Sequence, residues 1–168
     1  MATRRDLIIK WTAYAVMSLL LVFVHSLTLR QIPLWGVRAF IPPLIAAIVA
    51  SQEDTREAVL FGLGFGLCCD LVIASPMPCL YTLSFTVSAL VCSLLAKSVL
   101  QPGFLCSLIV TLLTFAVSDL FNMLALLLGS GATLPSMLSL CVREMAVSSP
   151  LLIVCHPALR YVHRRFTI

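Results

Sequence analysis

Six ionisable side chains interrupt the apolar runs of this chain: His25, Arg38, Asp70, Asp119, Arg143 and Glu144. Residues of these types inside hydrophobic stretches suit three kinds of chemistry. They can pair with one another and fix the order and rotation of helices, line a polar pocket for a ligand or a partner's polar group, or relay protons or ions. Covalent catalysis is not indicated. The chain has no G-x-S-x-G elbow, no H-E-x-x-H and no phosphate-cradling P-loop, so no enzyme is expected. The seven cysteines (68, 69, 79, 92, 106, 141 and 155) show no C-x-x-C or Cys/His spacing of metal-site type. They read as small hydrophobes, with Cys79 alone near a loop that could meet an oxidising phase. No metal and no cofactor are expected.

The elements that must position these residues follow from the solvent. Of 168 residues, 61% are hydrophobic and 11% charged, with a mean hydropathy of +1.08. A soluble domain carries about 25% charged residues, so the chain has too little polar surface for a water-facing globule and is expected to be a single integral membrane domain over 1–168. The net charge of +4 comes from basic residues at the termini and in short connections, a topology signal rather than a nucleic-acid footprint. The start, "MATRRDLIIK", resembles a signal peptide, but the apolar run 11–29 is too long for an h-region and no small-residue cleavage site follows. It reads as a retained anchor.

A bilayer core of about 30 Å needs about 20 apolar residues per helix. Hydropathy predicts helices near 11–29, 34–51, 57–75, 79–97, 103–128 and 136–158, separated by "RQIP", "SQEDTRE", "SPMP", "KSVLQPG" and "GSGATLP". The runs are continuously apolar, whereas barrel strands alternate. The fold class expected is therefore an all-α membrane protein, a compact bundle of six transmembrane helices. Its second segment is short or broken at Pro42 and Pro43. With the N-terminus inside, Arg4, Arg5, Lys10, Arg56, Lys97, Arg160, Arg164 and Arg165 are cytoplasmic, against Arg30 alone outside. That bias places both termini in the cytoplasm. Trp11 and Trp35 then fall at opposite interfaces as anchors, and Pro150 and Pro157 kink the last helix.

At 1.5 Å per residue, Asp70 lies roughly 8 Å, Asp119 about 14 Å, and Arg143 with Glu144 roughly 10–12 Å below the outer ends of their helices. Arg38 and His25 share that outer half. Each charge alone costs about 2.5–3.5 kcal/mol at a helix centre. Mutual pairing would offset this, so Asp70, Asp119, Arg143 and Glu144 are expected to face the bundle interior as one cluster. Gly62, Gly66 and Asp70 follow at i, i+4 and i+8, a smooth face for close helix approach. Packing within the bundle is the preferred use of that face, and docking of another protein the alternative. His25 and His156 are lone histidines of the kind usually satisfied inside a bundle.

The stretch "GFGLCCDLVIASPMPCLYTLSFTVSALVCSLLAK" (64–97) resembles the MreD family of bacterial rod-shape-determining membrane proteins. The shared pattern is a glycine-rich helix, an Asp about four residues after a glycine, a short loop and a helix with small residues. "FIPPLIAAIVA" is similar to that family's proline-led second helix, "VSDLFNML" carries Asp119, and Pro150 precedes a basic tail. The loop "SPMPCLY" departs from the pattern, with proline and cysteine where many members carry a glycine.

The resemblance implies a non-enzymatic scaffold of the cell-elongation machinery in the bacterial cytoplasmic membrane. It further implies an MreC-like single-span partner and, through that protein, MreB and the peptidoglycan synthases. The second reading is the substrate-binding subunit of an energy-coupling-factor vitamin transporter, to which the MreD family is similar in fold. Those subunits commonly carry Ala-x-x-x-Ala in the first helix. Here Ala13 and Ala15 form no such pair, and Ala46 and Ala50 fall in the second segment.

Overall fold

The computed structural model describes residues 4–27, 35–73, 77–98, 103–130 and 134–166. Seven helical segments follow one another: α1 (Arg4–Leu27), α2 (Pro42–Gln52), α3 (Thr55–Val72), α4 (Leu80–Ser98), α5 (Phe104–Ser130), α6 (Leu134–Ser148) and α7 (Leu152–Phe166). A 3-10 turn over Ser149–Leu151 joins α6 to α7. Among the described residues, β structure is limited to an isolated bridge at Val37. Arg30 and the turns expected at 30–33, 99–102 and 131–133 lie outside the described residues.

Four helical stretches are long and apolar enough to cross a bilayer: Ile8–Leu27, Leu80–Ser98, Phe104–Leu127 and Leu134–Arg165. Their outward faces carry large apolar side chains, with Leu120 65% and Phe23 64% exposed. Such a surface suits lipid and would be untenable in water. The chain is an all-helical, multi-pass membrane protein.

α2 forms the axis of the bundle. Every residue from Pro42 to Ala50 is buried, in contact with α3, α4, α5 and α7. A helix apolar on all sides belongs in such a position. It is also shorter than hydropathy suggested: the helix expected over 34–51 exists only from Pro42. A helix continued upstream would need amide donors at positions 42 and 43, and proline supplies none while its ring obstructs the preceding turn. The prolines instead occupy the first helical positions, where their fixed φ is an advantage. Trp35 and Gly36 take positive φ of 53° and 76°, and the chain then runs non-helically to Ile41. At about 1.5 Å per residue, α2 covers only about half a bilayer core.

The last helix is likewise interrupted rather than merely kinked. Pro150 falls in the 3-10 turn, and the Ser149 hydroxyl donates to the Met145 carbonyl at 2.6 Å. Pro157 sits inside α7, which continues to Phe166. His163, Arg164 and Arg165 in its last turn favour the helix's negative end, which explains why α7 outruns the expected bound at 158.

Candidate functional site

The start of α1 and the end of α7 meet at one end of the bundle, here termed proximal; α3 ends and α4 begins at the opposite, distal end. Polar side chains gather at both.

At the distal end, Asp70 does not join a charge cluster. Its carboxylate accepts the backbone amides of Tyr81 at 3.0 Å and Thr82 at 2.8 Å, and the Thr82 hydroxyl at 2.6 Å. These are unpaired donors of the first turn of α4, so Asp70 caps a neighbouring helix and complements its positive end. The glycines explain how so short a side chain reaches across. A Cβ on Gly62 would lie 2.8 Å from the Phe85 carbonyl oxygen, and one on Gly66 would lie 2.7 Å from the Thr82 Cα and the Tyr81 carbonyl oxygen. Only hydrogen fits at those two positions, and the resulting approach of α3 to α4 brings Asp70 onto the helix terminus. The face running through Gly62, Gly66 and Asp70 is therefore occupied by α4. It is not available to another protein.

Asp119 on α5 is buried, with Oδ2 lacking a hydrogen-bond partner; its carboxylate is in hydrogen-bonding reach of the Cys141 thiol. Glu144, one turn beyond Cys141 on α6, is half-buried and lines a cavity together with Tyr81. Arg143 is exposed. Successive helical residues are about 100° apart around the axis, so Arg143 and Glu144 cannot both face the interior. The expectation that they do is corrected. His25, Arg38, Phe40, Tyr81 and Glu144 share a distal cavity of about 550 Å³, with His25 edge-on to Phe40 at 6.4 Å. Of the six residues singled out by type, His25, Arg38 and Glu144 are thus brought together. Asp119, Asp70 and Arg143 do not line that cavity. The expected mutual ion pairing is not found: among the described residues no salt bridge engages Asp70, Asp119, Arg143 or Glu144.

The ion pairs gather at the proximal end, around a residue that pattern reading passed over. Glu53, at the C-terminus of α2, has a side chain 3% exposed and is bridged by the Lys10 ammonium. Its Oε1 accepts the Tyr14 hydroxyl at 2.7 Å and sits 2.9 Å from His163 Nδ1. Lys10 also reaches Glu57 at 3.2 Å. The Glu53 carboxylate thereby ties the end of α2 to α1 and α7, and Lys10 extends the node to α3 through Glu57. Burial alone would push the Glu53 carboxyl up, but hydrogen bonds from Lys10, His163 and Tyr14 outweigh it and hold the group below the ordinary glutamate range. Outside this node, Asp54 and Lys97 pair at 2.5 Å on the surface, which lowers the Asp54 carboxyl. A signal was present in the sequence: donors at 10 and 14 and carboxylates at 53 and 57 share a spacing of four.

Between α1 and α3 runs a lateral groove of about 680 Å³, lined chiefly by apolar side chains, with Glu57 at its proximal end. Ala15, Ser18, Gly64 and Cys68 give it a shallow floor; a Cβ on Gly64 would meet nothing within 4 Å. Phe61 and Phe65 stack at 5.5 Å, and Phe65 and Phe85 at 5.9 Å. These rings continue through Tyr81 to Phe40, linking groove and distal cavity.

The chain matches no family model, no curated protein and no solved structure.

Proposed function

We propose that the chain is a non-enzymatic membrane scaffold of the bacterial cell-elongation machinery, of the MreD kind. It crosses the cytoplasmic membrane six times with both termini inside, and receives the membrane helix of an MreC-like single-span protein. The observation that carries this reading is the groove between α1 and α3. It is apolar, open to the side and floored by small residues, which suits close helix approach in lipid. Glu57 at its proximal end complements the basic flank that a single-span protein with an outer domain carries on its cytoplasmic side. The meeting of Lys10 and His163 at Glu53 supports an even number of crossings, and the excess of Lys and Arg at that end supports its cytoplasmic placement. Through that partner the scaffold would help organise MreB and lateral peptidoglycan synthesis.

The test is a mild-detergent pull-down from the native cell, with bound proteins identified by mass spectrometry. Recovery of an MreC-like protein with wall synthases is expected, and its loss from Gly64→Leu, which fills the groove floor where there is room for a side chain. Undiminished capture by that folded variant would remove the groove from the reading.

A second reading, the substrate-binding subunit of an energy-coupling-factor vitamin transporter, is favoured by one observation: the distal cavity holding His25, Arg38 and Glu144. Recovery of a coupling membrane subunit with paired ATPases would select it.

A further inference from the structure

A third cavity, of about 300 Å³, opens at the proximal end between the last turn of α2, the first turn of α5 and α7. Its chemistry differs from that of the other two. His156, Arg160 and Arg164 stand four residues apart on one face of α7 and line it together. No carboxylate does. Of the carboxylates at this end, Glu53 is held by Lys10, Tyr14 and His163, the last of which also lines the cavity, and Asp54 by Lys97. Neither Arg160 nor Arg164 takes part in a salt bridge among the described residues.

Two further side chains in the lining have unmet hydrogen-bonding capacity. His156 is 7% exposed, and among the described residues both of its ring nitrogens are buried without a hydrogen-bond partner; its ring approaches Phe104 edge-on at 5.6 Å. The Gln52 amide likewise has neither its nitrogen nor its oxygen bonded. Unsatisfied polar groups of this kind are costly and call for a partner. Gly103 and Ser107 bring the N-terminus of α5 to the same cavity. The Ser107 amide is satisfied by the Gly103 carbonyl at 3.1 Å, but the amides before it belong to the unpaired first turn of a long helix. Two guanidinium groups, a histidine, an amide and a helix N-terminus converging without a counter-anion form a receptor for a phosphate group.

We infer that this cavity binds a phosphate-bearing anion at the proximal membrane surface, through Arg160, Arg164, His156 and the start of α5. The inference stands whichever reading of the overall function holds. Anionic phospholipid headgroups and soluble phosphate offer the same chemistry, and basic pockets between membrane helices commonly hold the former.

The experiment uses the full chain in nanodiscs of phosphatidylcholine, with and without phosphatidylglycerol, and separately with inorganic phosphate. Thermal midpoints are measured alongside native mass spectrometry of retained lipid. A higher midpoint and preferential retention of phosphatidylglycerol support a lipid headgroup; a gain with inorganic phosphate alone supports a soluble ligand. Removing both charges in R160Q/R164Q is expected to weaken the preference roughly 30-fold, whereas R5Q, an exposed charge at the same end, leaves it unchanged. H156F, which replaces the unpaired ring by one without polar atoms, keeps the fold and loses most of the preference. No gain with either anion, or an equal gain in R160Q/R164Q and R5Q, overturns the inference.

Discussion

The two ends of the bundle handle buried charge in opposite ways. At the proximal end one carboxylate, Glu53, is met by an ammonium, a phenol and an imidazole from two other helices. At the distal end Asp119 and Glu144 enter no salt bridge among the described residues, although Arg38 and His25 line the same cavity as Glu144. A satisfied buried network fixes geometry, and removing one member strands the others. A carboxylate outside any ion pair contributes less to folding, and one that lines a cavity is placed to receive a ligand. The proximal node therefore reads as construction and the distal cavity as capacity.

The contrast breaks most sharply at Glu53. Glu53→Ala leaves Lys10, Tyr14 and His163 without their common acceptor and is expected to cost about 3 kcal/mol or more, measured as a lowered thermal midpoint and faster proteolysis of α1. Asp70→Ala is expected to cost about 1–2 kcal/mol, the value of a helix cap, and to loosen the start of α4 in hydrogen exchange. Asp119→Leu, by contrast, is expected within about 1 kcal/mol of neutral, because it removes a buried carboxylate outside any ion pair, with one oxygen unbonded, at the cost of a weak thiol contact to Cys141. A large loss of stability there would mean that Asp119 is held by an ion pair or a strong hydrogen bond and that the contrast is wrong. Arg143→Gln, on the exposed side of α6, is expected within about 0.5 kcal/mol.

Acid sharpens the same comparison. The Glu53 carboxyl is held below its ordinary value of 4.5 in the folded chain, so its contribution is complete above that value and lost as pH falls through the lower, folded one. The acid-side drop in thermal midpoint should accordingly shrink in Glu53→Gln. An unchanged drop would assign the acid response to another group.

Much of this architecture is readable from hydropathy, because a lipid solvent leaves long apolar runs few alternatives to helix. α3, α4 and α5 begin and end within three residues of the bounds expected from composition. Depth in the membrane was the weaker guide. Hydropathy expects Asp70, Asp119, Arg143 and Glu144 at one level, but rotation about each helix decides what they meet: Asp70 turns to α4 and Arg143 turns outward. Glu53 was hidden for another reason. It lies in "SQEDTRE", the most polar stretch of the chain, and such stretches usually signal a solvated turn. Only the return of α1 and α7 to that turn buries it, and long-range packing of that kind leaves no local mark.

The short axial helix also constrains how the chain can be made. A helix of eleven residues is too short for an insertion machinery to release sideways into lipid as an independent span. The non-helical chain before it exposes backbone groups that hydrocarbon cannot satisfy; Phe40, for example, donates its amide to Ser148, more than a hundred residues later. α2 emerges second from the ribosome, yet its surroundings are complete only after α7. Biogenesis must shelter an early segment until the last one arrives, so C-terminal truncations should be cleared by membrane quality control rather than accumulate as smaller bundles.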